Sequence, residues 1–71
     1  MKKYSVIIAK NHTTSISLEE EFYQALCLIA KKQNIAPNEL ITQIDKNRTT
    51  NNLSSAIRLY ILKYFQQKQD L

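Results

Sequence analysis

The side chains able to do chemistry are few, and they fall into three groups. Cys27 and His12 are the only soft metal ligands, and nothing around them has the spacing of a zinc site. Glu19, Glu20 and Glu21 are consecutive carboxylates, but neighbouring helix positions point in different directions, so they do not converge on a metal. They suit the positive end of a helix dipole instead. The third group is polar and cationic. Thr13, Ser15 and Ser17 alternate and would share one small, polar face of a strand, while Lys2, Lys3 and Lys10, with His12, precede any acidic residue. A glycine-rich phosphate cradle is impossible, because the sequence has no glycine, and no nucleophile sits beside an obvious base. Cys27 has no acid–base partner within reach along the sequence and reads as a small buried hydrophobe. No enzyme activity, metal or cofactor is expected.

The elements that hold these groups must come from a chain of 71 residues with a formal net charge of +4. Chains of this size hide only about 60% of their unfolded surface, so a lone core is marginal. A single cysteine excludes internal disulfides, and association is the remaining source of stability. One domain, 1–71, is expected. The longest apolar runs, Val6–Ala9 and Leu26–Ala30, are too short to span a bilayer. Met1-Lys2-Lys3 is a basic start without an apolar core or a small-residue cleavage site, so no signal peptide is expected. With an uncrosslinked cysteine, a cytoplasmic location is expected.

Without glycine, turns fall to asparagine: Asn11, Asn34, Asn47, Asn51 and Asn52 mark the breaks. Residues 4–18 read as a strand region, with Lys3–Ala9 apolar and β-branched and Thr14, Ile16 and Leu18 forming a face to bury. A first helix is expected over 19–33, with a stripe of Phe22, Ala25, Leu26, Ile29 and Ala30, Lys31 and Lys32 in the last turn, and Asn34 at C′. Ser17 and Glu20 have capping-box spacing. Pro37 opens a second helix over 37–46 that buries Leu40, Ile41 and Ile44. Asn52 caps a third helix over 52–68, with a stripe of Leu53, Ala56, Ile57, Tyr60, Ile61, Tyr64 and Phe65. Leu59 and Leu62 lie outside that stripe, so this helix is apolar on more than one side. Arg58 and Asp45 could form an inward ion pair.

The order strand, helix, asparagine turn, helix resembles the ribbon–helix–helix superfamily of MetJ/Arc-type regulators. Ile16-Ser17-Leu18-Glu19, Phe22, Leu26, Ile29, Ala30, Asn34-Ile35-Ala36-Pro37 and Leu40-Ile41 carry the resemblance. More specifically, the chain is similar to a bacterial ribbon–helix–helix domain subfamily with an added third helix, through Ser5–Ile8, His12–Ser15, Leu18-Glu19, Phe22-Tyr23, Ala25-Leu26, Ile44-Asp45 and the block Asn52–Arg58.

The resemblance implies a mainly α fold in which the N-terminal strand, Thr13–Leu18, pairs with its copy across an intertwined homodimer. It implies double-stranded DNA as the partner, an antiparallel ribbon in the major groove, and a role as a transcriptional repressor binding as a dimer or as stacked dimers. Carried over, the DNA-binding residues are Thr13, Ser15 and Ser17 on the outward face. Lys2, Lys3, Lys10 and His12 flank them, and Asn38 stands at the second helix start, where backbone N–H groups can meet a phosphate. Two chains carry a formal +8, twice the +4 of one. The other reading is an interaction module, antitoxin-like or adaptor, that engages a protein through the third helix. No membrane partner is expected.

Overall fold

The structure is a computed structural model that describes residues 1–8 and 12–68. Two strands, β1 (Lys2–Ile8) and β2 (His12–Leu18), precede three helices, α1 (Glu20–Lys32), α2 (Pro37–Asn47) and α3 (Leu53–Lys68). The strands form an antiparallel pair whose register runs from Lys2 opposite Leu18 to Ile8 opposite His12. Period-two alternation then assigns the faces. Val6, Ile8, Ile16 and Leu18 point into the helical layer and are buried, while Lys3, Ser5, Thr13 and Ser15 point to solvent.

This pairing lies inside one chain, between the segments 2–8 and 12–18. Both segments are rich in β-branched residues, and only a short connection separates them. The opposite edge of β2 is partly engaged as well. The Ser17 N–H donates to Ser54 Oγ at the start of α3, at 3.2 Å. Ser17 is therefore a strand residue, and α1 has no side-chain cap, so the capping box is not formed.

Helix ends follow the chemistry of their residues. Asn34 takes a positive φ of 61°. Behind it, Ile35 N–H reaches Ala30 O at 3.0 Å and Asn34 N–H reaches Lys31 O at 3.1 Å, the paired bonds of a Schellman ending. Pro37 occupies the first turn of α2. Asn52 Oδ1 accepts from Ser55 N–H at 3.2 Å and caps α3.

One core forms between the hairpin and the three helices. Leu18, Leu26, Ile29, Leu40, Ile41 and Ile57 are essentially sealed from solvent. α2 packs chiefly beneath β1, and α3 contacts β2, α1 and α2. The third helix supplies Ala56, Ile57 and Ile61 to this core. Three further expectations change. Cys27 is half-buried rather than fully buried, beside Tyr23. Phe65 falls at the margin of the α3 stripe, 37% exposed, edge-on to Tyr64. Asp45 and Arg58 do not pair with each other. Asp45 meets Arg48 one turn away at 2.9 Å, and Arg58 reaches across to Glu19 at 2.9 Å. Among the described residues, no helix is long and apolar enough to cross a membrane.

Candidate nucleic-acid interface

The hairpin's solvent face is built from three cross-strand pairs: Lys3 with Ser17, Ser5 with Ser15, and Ile7 with Thr13. Ser17 N–H bonds to Ser54 rather than to Lys3, so these odd-numbered pairs are the non-hydrogen-bonded ones of the ladder. In such pairs the Cα atoms approach to about 4.5 Å and the side chains stand close together. The face is consequently a compact double row with a cation at one end, four hydroxyls along it and a lone aliphatic side chain at the other end. Lys3, Ser5, Ile7, Thr13 and Ser15 are exposed, and Ser17 is half-covered.

The elements beneath hold this face in place. Tyr4 on β1 stacks on Tyr23 of α1, with ring centroids 3.9 Å apart and planes within 6° of parallel. That contact fixes the outer strand to the first helix. At the other side, Ser54 holds Ser17, and the Arg58 guanidinium bridges to Glu19 at the junction of β2 and α1. Arg58 also lies over the Phe22 ring at 6.0 Å. The Glu19 carboxyl is held below the usual carboxylate range, first by hydrogen bonding from its own backbone amide and then by Arg58. Burial pushes the Tyr23 hydroxyl above its ordinary value, and the adjacent Cys27 adds to the effect.

The expected site residues divide under this geometry. Thr13, Ser15 and Ser17 share the solvent face, and Lys3 joins them there because β1 brings it opposite Ser17. Lys3 has no acidic partner among the described residues. Lys2 has the opposite parity and forms an exposed ion pair with Glu20 at 3.5 Å. His12 also has the opposite parity. It sits opposite Ile8 and lines a groove under the hairpin with Asp45, Arg48 and Asn52. Asn38 is exposed at the start of α2, its carbonyl accepting from Thr42 Oγ1 at 2.9 Å. None of the hydrogen bonds or ion pairs among the described residues ties it to the hairpin. Lys10 lies outside the described residues.

Ser5 and Ile7 were missed as members of this face. The signal was present, because Lys3, Ser5 and Ile7 alternate with Tyr4, Val6 and Ile8. It carried meaning only once β1 was known to lie beside β2 in register.

A second exposed feature lies on α3, where Leu59 and Leu62 are 45% and 51% exposed, next to Phe65. These are the two leucines that fall outside the core stripe.

A family model described as a ribbon-helix-helix domain matches residues 1–65. No curated protein and no solved structure matches the chain.

Proposed function

From the premise that this chain belongs to the ribbon-helix-helix domain family, we propose that it is a DNA-binding transcriptional regulator that acts as a homodimer. The family is generally one of DNA-binding regulators and antitoxins rather than enzymes, and the fold here has that family's ribbon and helices with an extra C-terminal helix. The observation that carries the reading is the hairpin face, with Thr13, Ser15 and Ser5 exposed in a row and Lys3 beside Ser17, without an acidic partner among the described residues.

The dimensions support one hairpin per groove. The major groove of B-DNA is about 12 Å wide and admits a two-stranded ribbon. A four-stranded sheet made by joining two hairpins through β2 would span roughly 14 Å between its outer strands alone. Each chain therefore brings its own ribbon, and a dimer reads two half-sites. Hydroxyls meet base edges, and Lys3 meets a phosphate or a guanine edge. Lys2, Lys10 and His12 contribute to the surrounding field, and Asn38 opens a helix N-terminus to the backbone.

Anisotropy titration of the chain against random-sequence duplexes at two salt concentrations tests this reading. Salt-dependent binding that Ser15→Ala redirects toward other sequences is expected. Absence of binding at low ionic strength overturns it.

The apolar strip on α3 favours a second reading, an interaction module in which Leu59, Leu62 and Phe65 receive another protein. Sedimentation equilibrium separates the two. A dimer that Leu62→Lys converts to monomer assigns the strip to a second copy, whereas a wild-type monomer leaves it for a different partner.

A further inference from the structure

Ile7 is the one large apolar side chain on the hairpin's solvent face, and it is half exposed. Nothing in the fold requires it there. The core beneath is closed by Val6 and Ile8 on the opposite face of the same strand, which are 2% and 8% exposed. Its cross-strand neighbour is Thr13, so the Thr13 methyl and the Ile7 side chain form a small apolar end on a face that is otherwise hydroxyl and cationic. A single aliphatic group among hydroxyls is too little to hold a protein surface. It does match the one apolar group on the major-groove edge of DNA, the C5-methyl of thymine.

We propose that Ile7, supported by Thr13, is a specificity-determining residue that contacts thymine C5-methyl groups, so that β1 reads sequence alongside β2. This rests on the DNA-binding reading above and extends it. The strand that sequence reasoning treated as a flank becomes half of the reading surface, and the three cross-strand pairs follow one another in chemical order. Ile7 with Thr13 is apolar, Ser5 with Ser15 donates and accepts, and Lys3 with Ser17 is cationic. A site read by this face has a thymine step at the end that faces Ile7.

The test compares duplexes selected by the wild-type chain from a random pool with the same sequences synthesised with deoxyuridine in place of thymidine, which removes only the methyl groups. Wild type is expected to bind the deoxyuridine duplex about fourfold more weakly for each methyl contacted, equivalent to about 0.8 kcal/mol for burying one such group. Ile7→Val should retain the discrimination. Ile7→Ser should reduce it, and Ile7→Ser with Thr13→Ser should abolish it. Circular dichroism verifies that these exposed positions leave the fold intact. A change in DNA stiffness caused by methyl removal would persist in the serine variants, so it is distinguished from direct contact. Salt-dependent binding by wild type with no preference between the two duplexes overturns the role of Ile7 and leaves DNA binding standing, as does a preference that Ile7→Ser fails to diminish. Absence of binding to any duplex overturns both.

Discussion

Lys2 and Lys3 are adjacent in sequence, yet the strand pleat separates their roles, and replacing each with alanine should give different results. Lys3 stands on the solvent face opposite Ser17 and has no acidic partner among the described residues. Lys2 points the other way and is paired with Glu20 at 3.5 Å. A lysine that neutralises one DNA phosphate contributes about 0.9 to the slope of log affinity against log salt concentration. Over the fourfold range from about 50 to 200 mM salt, one such contact therefore accounts for about 3.5-fold in affinity, and two chains double its contribution to the slope. Lys3→Ala should flatten the slope by about 0.9 per bound chain, and Lys2→Ala should change it by much less. Fluorescence anisotropy against one selected duplex over a salt series measures both slopes under matched conditions. Equal flattening by the two variants, or flattening by Lys2→Ala alone, would refute the placing of Lys3 and Lys2 on opposite faces of β1.

Three further expectations concern the scaffold. Ile57→Ala removes a sealed side chain of α3 and should lower the unfolding free energy by about 2–5 kcal/mol in urea titrations, showing that the third helix belongs to the core. Asn34 holds a left-handed backbone, so Asn34→Val should cost about 1–2 kcal/mol in the same assay while Asn34→Gly should not. Because the Glu19 carboxyl titrates lower in the folded chain than in the unfolded one, the hydrogen bonds it accepts from its own backbone amide and from Arg58 stabilise the fold above the unfolded value, and that contribution is lost as pH falls through the folded one. Thermal melts on acidification should show that loss in wild type and a shallower decline in Glu19→Gln.

Local chemistry made the helices legible. The first helix ends two residues before Asn34, the second opens at Pro37 and the third directly follows Asn52, because a left-handed turn, a missing N–H and a capping oxygen are properties of single residues. The buried stripes of α1 and α2 were equally readable from periodicity, with Leu26, Ile29, Leu40 and Ile41 all sealed. What depended on a distant partner was not readable. The register of β1 beside β2 came only with the structure, the partner of Arg58 proved to be Glu19, and Asp45 found Arg48 instead. Four of the six residues of the candidate face, Lys3, Thr13, Ser15 and Ser17, were visible as candidates. The other two, Ser5 and Ile7, emerged only with the register, since alternation tells which residues share a side but not which strand lies alongside.

The most direct measurement of the central claim is a ¹⁵N–¹H correlation titration of the chain with a selected duplex. Large shifts at Lys3, Ser5, Ile7, Thr13 and Ser15, with Leu59 and Leu62 little changed, are the outcome this account requires. Shifts concentrated on the α3 strip, with the hairpin amides unmoved, would contradict it.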